Sequence, residues 1–171
     1  MEIRKAVITD FENIKSMMLK ALRSDPNAFS VNYEEYASCS NYWWQNYLSD
    51  YLAGLYSHMY FAQENEIIVG MAGLNFSRKI KQQHSVDFVW FFVDQEHRGK
   101  GIGRKILEHI HTVLKEREEI VKIALSVVST QTKAIELYKK FGYSVSGNQR
   151  RHIKSGNDYL DLIIMEKHLR P

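Results

Sequence analysis

The most chemically suggestive part of the 171-residue sequence is a basic, glycine-rich stretch that runs directly into an apolar helical pattern. It reads Arg98-Gly99-Lys100-Gly101-Ile102-Gly103-Arg104, with three glycines in five positions. The first backbone N–H groups of a helix have no intrahelical partner, and the helix dipole adds partial positive charge there. With few side chains in the way, such amides can bind phosphate oxygens directly. The stretch therefore predicts a phosphate site; the alternative is a glycine-rich turn with scattered surface charge.

Two common nucleotide motifs do not fit this stretch. A Walker loop requires Gly-Lys followed by Ser or Thr, whereas Gly101 follows Lys100 here. A dinucleotide fingerprint requires a G-x-G-x-x-G spacing and an acidic residue at the end of the next strand. The sequence has G-x-G-x-G, and the next apolar run ends in Val127-Val128-Ser129. A nucleotide-dependent oxidoreductase is therefore disfavoured.

A phosphate site of this kind needs a strand before it and a helix after it, and the sequence supplies both. The apolar run 86–93 predicts a strand that is buried on both faces, and the helix that follows has a regular apolar stripe. A second buried strand is predicted over 121–128. A short helix follows it and ends at Gly142, a favourable residue after a helix C-terminus.

The other elements complete a mixed sheet. Residues 2–8 predict a first strand, and Thr9 with Glu12 predicts a capping box that opens the first helix. The aromatic-rich segment 32–54 predicts a second helix, with a break near Ser38–Ser40, and a hairpin follows it. Two strands end the chain. The resulting order, β-α-α-β-β-β-α-β-α-β-β, describes an α/β sheet that is parallel only around its two buried strands.

Composition excludes several classes of protein. The net charge of +3 is spread along the chain, unlike the dense basic face of a nucleic-acid binder. The N-terminus lacks the pattern of a secretory signal and the longest apolar run is too short to cross a bilayer, so we expect one cytoplasmic domain over 1–171 that binds neither nucleic acid nor membrane. Cys39 is the only cysteine and no metal-ligand spacing is present, so we expect no metal.

One family pattern does fit. The segment 98–103 resembles the [Gln/Arg]-x-x-Gly-x-[Gly/Ala] signature of the GNAT superfamily of N-acetyltransferases, and "FFVDQEHRGKG" resembles that family's entry into it. Downstream, "TKAIELYKKFGY" is similar to the family's second cofactor segment, with Gln131 where asparagine is commoner. The tail "DYLDLIIMEKHL" looks like the family's last strand. The resemblance covers nearly the whole chain and is strongest over 86–143.

The resemblance implies a fold and a co-substrate. We expect the GNAT fold, an α/β (α+β) arrangement with a mixed central sheet of about seven strands, a splay between two parallel strands, and about four flanking helices. It also implies that acetyl-coenzyme A binds between strands 86–93 and 121–128, with its pantetheine arm on the β-strand backbone and its phosphates on the glycine-rich turn. The implied cofactor-binding residues are Phe91, Phe92, Val93, Arg98, Gly99, Lys100, Gly101, Ile102, Gly103, Arg104, Gln131, Lys133 and Tyr138.

The resemblance also implies catalytic roles. Tyr138 stands where the family usually keeps the acid that protonates the departing thiolate, and a phenol with a pKa of about 10 can do so. The alternative is that Tyr138 is an ordinary member of a buried helical stripe. Asp87 is the candidate general base, although the register places it one residue from the family's usual glutamate. Glu34, Glu35 and water alone stay open as alternatives.

The acceptor is less well defined. The aromatic series lies where GNAT members build their acceptor site, so we expect one or two of Tyr33, Trp43 and Trp44 to contact substrate, although helical spacing favours core packing for most of the series. The resemblance implies transfer of an acetyl group to a primary amine of a small molecule or peptide, and a homodimer is compatible with it. A non-catalytic acyl-coenzyme A sensor with the same fold is the alternative.

Overall fold

The computed structural model describes residues 1–170, which form one seven-stranded mixed sheet with helices on both faces. The strands are β1 Glu2–Lys5, β2 Ser57–Glu64, β3 Ile67–Phe76, β4 Ser85–Val93, β5 Lys122–Val128, β6 Ser144–Ser155 and β7 Asp158–His168. The helices are α1 Phe11–Ser24, α2 Tyr33–Ala37, α3 Asn41–Ala53, α4 Ile102–Lys115 and α5 Thr132–Lys140. The strand order is β1-β2-β3-β4-β5-β7-β6, and only β4 and β5 run parallel. The predicted mixed sheet is thus confirmed.

Two hydrophobic cores lie on opposite faces of this sheet because successive strand side chains alternate between faces. On one face α4 packs through Ile106 and Ile110 against Ile123 of β5. On the other face α1 and α3 pack through Met18 and Trp44 against the strands β2 and β3. The sheet is therefore a central layer, and a gap between two of its strands would connect its two sides.

The pairing of β4 with β5 stops shortly after it begins. The parallel register joins Ser85 to Lys122 and ends at Asp87 opposite Ala124. Beyond that pair β4 continues against β3 and β5 continues against β7, so their facing edges separate. The splay between the two parallel strands that the family resemblance implied is confirmed.

Several local predictions need correction. The predicted break at Ser38–Ser40 is confirmed; it separates α2 from α3, so that the chain has five helices where about four were expected. Asn32 caps the first and Ser40 the second, each accepting a hydrogen bond from a backbone N–H. β4 is not buried on both faces, since Asp87 is exposed.

The first strand and helix also differ from the sequence prediction. β1 ends at Lys5, and Thr9 does not cap α1. Instead the buried carboxylate of Asp10 accepts from the Val7 backbone N–H at 2.8 Å, from Asn13 at 2.8 Å and from both terminal nitrogens of Arg4 at 2.7 and 2.8 Å. The Asp10 carboxylate thus closes the turn that precedes α1 through the Val7 N–H, and it makes no hydrogen bond to a backbone N–H of α1 itself.

Asp10 therefore stabilises the junction of β1 and α1. The Arg4 guanidinium holds the pKa of Asp10 well below its usual range, against the opposing effect of burial. We expect Asp10→Asn to lower the free energy of unfolding by about 3 kcal/mol at pH 7, since it leaves the part-buried Arg4 without its counter-charge. Urea denaturation monitored by circular dichroism measures this loss.

The pH dependence gives a second check on the same interaction. A carboxyl group with a lowered folded pKa stabilises above its unfolded pKa of about 3.9, and the benefit disappears as the pH falls through the folded value. The difference between wild type and Asp10→Asn should therefore shrink below about pH 4. Glu12→Gln, at an exposed position of α1, is the matched control and should change stability by less than about 0.5 kcal/mol. An Asp10→Asn protein as stable as this control at pH 7 would contradict the assignment.

Candidate functional site

The glycine-rich turn leads into α4 with the geometry that an anion site requires. Gly99 and Gly101 have φ of +78° and +79°, a conformation that glycine adopts without strain, and no heavy atom lies within 4 Å of where a Cβ would stand on either. The first intrahelical bond runs from the Lys105 N–H to the Gly101 carbonyl, at 3.1 Å. The N–H groups of Ile102 and Gly103 therefore precede the helical hydrogen-bond ladder.

The third glycine has a different role. A Cβ on Gly103 would lie 3.1 Å from the ring of Phe91 and 3.4 Å from a methyl group of Leu137. Gly103 thus allows α4 to approach β4 and α5 closely, so only two of the three glycines keep open space around the turn.

The turn opens into a cleft of about 600 Å³ between β4, α4 and α5, which we call the glycine-turn cleft. It brings together most of the residues predicted to bind the cofactor, namely Phe91, Phe92, Val93, Arg98, Gly99, Gly101, Ile102, Gly103, Arg104, Gln131 and Lys133. Sequence reasoning missed Lys140, which also lines it and adds a positive charge. Lys100 is exposed and Tyr138 is buried, and neither is among the lining residues.

Arg98 uses its side chain within the protein. Its guanidinium pairs with both carboxylate oxygens of Asp25, at the end of α1, and donates to the Val93 carbonyl at 2.8 Å. It also lies over the Phe92 ring, 5.7 Å from the centroid. Arg98 therefore fixes the turn to β4 and α1, and the basic side chains left at the cleft include Arg104, Lys133 and Lys140.

A second cleft of about 530 Å³ lies over the gap between β4 and β5, on the face that carries α2 and α3; we call it the fork cleft. Ala28 and Phe29 line both clefts, so the segment between α1 and α2 lies where they meet. Phe29 stacks on Trp90 with ring centroids 5.4 Å apart. The two clefts therefore reach the open edge of β4 from different sides.

Asp87 lies at the point where the strands separate. It belongs to the last pair between β4 and β5, and it lines the fork cleft. Asp87 is exposed as a residue, but the partial burial of its carboxyl group raises its pKa, and the charge of Lys122 acts in the opposite direction. The structure thus places this predicted base in a cleft, with a higher proton affinity than an ordinary aspartate.

Tyr138 lies on the other side of β4. It belongs to α5 and is buried in the core that includes α4, with its ring centroid 5.8 Å from that of Phe91 and 6.2 Å from that of Phe88. Burial, with a contribution from Tyr143, raises the pKa of the phenol, so the group stays protonated at neutral pH. The structure places it directly behind the two β4 phenylalanines that follow the fork.

The residues predicted to contact an acceptor do not line either cleft. Of the three residues from which one or two contacts were expected, Trp44 is fully buried in the core that α1 and α3 form on the sheet, where it packs and is not accessible. Trp43 packs flat on Tyr47 at 4.8 Å, and Tyr33 lies beneath Arg23. The aromatic residues of the fork cleft are instead Phe29, Tyr36, Tyr47, Tyr51, Phe88 and Trp90. The helical spacing of Tyr47 and Tyr51 indicated that they share one face of the helix, but it did not indicate that this face lines the cleft.

Over residues 1–170 no cluster of three or more metal-ligating side chains occurs, and no helix is long and apolar enough to traverse a bilayer.

Comparison with known proteins gives consistent results. A spermine/spermidine N(1)-acetyltransferase of Bacillus subtilis is 31% identical over 83 residues, which cover 47% of this chain and 55% of that protein. An L-amino acid N-acetyltransferase of Escherichia coli is 22% identical over 165 residues, or 96% of each chain. The structure of yncA from Salmonella typhimurium, solved with acetyl-CoA, superposes with a TM-score of 0.76 at 21% identity, covering 100% of this chain and 95% of that one.

The chain spans only about half the length of the polyamine acetyltransferase that it matches. The family match is far more extensive, because the model of the acetyltransferase (GNAT) domain matches residues 3–164. Together with the splayed β4–β5 pair and the glycine-rich turn that opens α4, this match shows that the protein belongs to the GNAT acetyltransferase family.

Proposed function

We propose that the protein transfers an acetyl group from acetyl-CoA to a primary amine, with both substrates bound at once. The observation that carries the proposal is the meeting of two separate clefts at Ala28 and Phe29, across the open edge of β4. One cleft has the glycine turn and basic side chains, and the other has a carboxylate. The names of the relatives, which are N-acetyltransferases, and the acetyl-CoA in the similar structure support this assignment.

The glycine-turn cleft fits coenzyme A by the chemistry of its donors. The open space beside Gly99 and Gly101 exposes main-chain amides to a diphosphate, and Lys133 and Lys140 can neutralise its charge. Beyond the fork the edge of β4 has no strand partner on the β5 side, so Phe91 to Val93 can pair with the amide groups of a pantetheine arm. Bound there, acetyl-CoA would supply an acetyl group activated as a thioester.

Two titratable groups, one on each side of β4, carry out the two proton transfers of the reaction. Asp87 accepts a proton from the incoming ammonium group, since only the neutral amine is a nucleophile. Tyr138 donates its proton to the departing sulfur, whose thiol has a pKa of about 8.5. The amine nitrogen forms the new bond to the acetyl carbon as the carbon–sulfur bond breaks. The second proton that the nitrogen then loses restores the Tyr138 phenol, and Asp87 releases its proton to water. Burial raises the pKa of Asp87, which favours its role as a proton acceptor. Burial also keeps Tyr138 in the protonated form that a donor needs, although a raised pKa makes the phenol a weaker acid.

The anion site is tested by Gly101→Ala. A methyl group at φ +79° strains the backbone and occupies the space beside the exposed amides, so the Kd for coenzyme A should rise by about tenfold or more. Isothermal titration calorimetry with coenzyme A measures this change.

Gly156→Ala is the matched control, since Gly156 also has positive φ with open space around it but lies in the β6–β7 turn. Both variants should lose similar thermal stability, whereas only Gly101→Ala should lose affinity. Equal Kd values for the two variants would exclude the turn as the phosphate site.

The acid is tested by Tyr138→Phe. Removing one hydroxyl should lower kcat by about 10²-fold and leave the KM for acetyl-CoA nearly unchanged, because the hydroxyl acts on the departing sulfur. Release of free thiol, followed with an amine acceptor, measures both constants.

Tyr143→Phe is the control, since it removes another buried phenol hydroxyl, one that lies 3.0 Å from His111 Nε2. An unchanged kcat for Tyr138→Phe would assign Tyr138 to the core. Coenzyme A binding without thiol release for any amine would identify the wild type as a non-catalytic acyl-coenzyme A sensor.

The base is tested by Asp87→Asn. We expect kcat to fall by about 10²-fold at pH 7, and the acidic limb of the wild-type pH profile to lie above the ordinary aspartate pKa of about 4, as the direction of its shift requires. Glu34→Gln and Glu35→Gln, both at exposed positions of α2, should leave kcat unchanged. A loss of activity in either glutamate variant, with Asp87→Asn active, would transfer the role to α2.

A further inference from the structure

The residues that line the fork cleft carry charge of one sign only, which bears on the kind of amine that the cleft can select. Asp87 is the only charged residue among those that line it, and no lysine, arginine or histidine does so. Burial raises the pKa of Tyr36 and of Tyr51, so these phenols add no negative charge at neutral pH. The cleft therefore offers one negative charge and no positive charge to a bound molecule.

A second polar group beside Asp87 points to the same ligand. Asn75 on β3 is the direct cross-strand partner of Asp87, so the two side chains lie on one face of the sheet, and both line the fork cleft. Asn75 Oδ1 is buried and has no hydrogen-bond partner within the described chain. An ammonium group has three donors, and a carboxylate with an adjacent amide oxygen supplies acceptors for two of them.

Aromatic rings form much of the rest of the cleft, whose other polar side chains are uncharged. Trp90 stacks on Phe29, and its Nε1–H donates to the Tyr47 hydroxyl at 3.2 Å. Tyr47 in turn stacks on Trp43, and Tyr36 meets it edge to face at 5.7 Å. These contacts fix the rings in a continuous wall, and such a wall favours a flat aromatic body over a flexible polar one.

We infer that the acceptor is an aromatic monoamine, a primary ammonium group on a short chain attached to an aromatic ring, with its nitrogen at Asp87 and Asn75 and its ring against Trp90 and Tyr47. The inference rests on the proposed function. An α-amino acid would place its carboxylate near Asp87 with no cation to pair with it, and a buried unpaired charge is costly. A polyamine would bring further ammonium groups to a cleft with one carboxylate.

The acceptor inferred here thus differs from the acceptors for which two relatives are named. Those proteins are named for spermine and spermidine, and for L-amino acids. The identities of 31% over half of one relative and 22% over the other leave room for a different acceptor.

Steady-state thiol release with phenethylamine, L-phenylalanine and spermidine at saturating acetyl-CoA tests the inference. Phenethylamine and L-phenylalanine differ only by the carboxylate, so the comparison isolates its effect. We expect kcat/KM for phenethylamine to exceed that for L-phenylalanine by about 100-fold and that for spermidine by at least about tenfold. Thiol release that is as fast with either of the other two would overturn the inference and leave the acetyltransferase proposal standing. Absence of release with every amine would refute the proposed function itself.

Asn75→Leu tests the ammonium site separately. The variant should raise the KM for phenethylamine by about tenfold while the Kd for coenzyme A is unchanged. Its melting temperature should fall only slightly, because the Oδ1 atom has no partner in the fold and the variant loses the hydrogen bond of the amide to the Tyr51 hydroxyl. An unchanged KM would show that Asn75 does not contact the acceptor, and a large loss of stability would show that its role is structural.

Discussion

Two parallel strands that start as a hydrogen-bonded pair and then separate are the constraint on which this structure depends. β4 and β5 pair with each other only from Ser85 to Asp87, yet each continues to pair on its other side, β4 with β3 and β5 with β7. The separated edges carry peptide groups that would cost free energy if buried without partners. They persist because two clefts give them access to water or to a ligand.

A bulge on β4 contributes to this separation. Trp90 has φ of +52°, and the register with β3 shifts between Met71 and Gly73, so the strand carries an extra residue beyond the fork. The bulge changes which side chains face each cleft, with Trp90 packed toward α2 and α3 and Phe91 toward α4 and α5. A tryptophan at positive φ is strained, and the stacking on Phe29 and the hydrogen bond to Tyr47 stabilise it in place.

The sequence was sufficient to predict the order of elements and the glycine-rich turn, because both depend on local patterns. The break at Ser38–Ser40 and the splay were also predicted, the latter from family resemblance alone. The residues that line the acceptor cleft were not predicted. Trp44 and Tyr47 belong to the same helical stripe, and only the packing of α3 on the sheet decides which of the two is buried. The ion pair of Arg98 with Asp25 could not be predicted from local patterns either, because it joins residues that are 73 positions apart in the sequence.

The division of charge between the clefts is also invisible in the composition. A net charge of +3 suggests no polarity, yet Arg104, Lys133 and Lys140 lie at the glycine-turn cleft and Asp87 is the one charged residue of the fork cleft. Because Asp25 already pairs with Arg98, the remaining positive charge at the first cleft comes from Arg104, Lys133 and Lys140, which outnumber the one further carboxylate there, that of Glu136. An anionic carrier and a cationic amine are thus each attracted to a different side of β4, and they meet only where the strands part. The fork therefore provides the opening for the reaction and also separates the two electrostatic environments that select its partners.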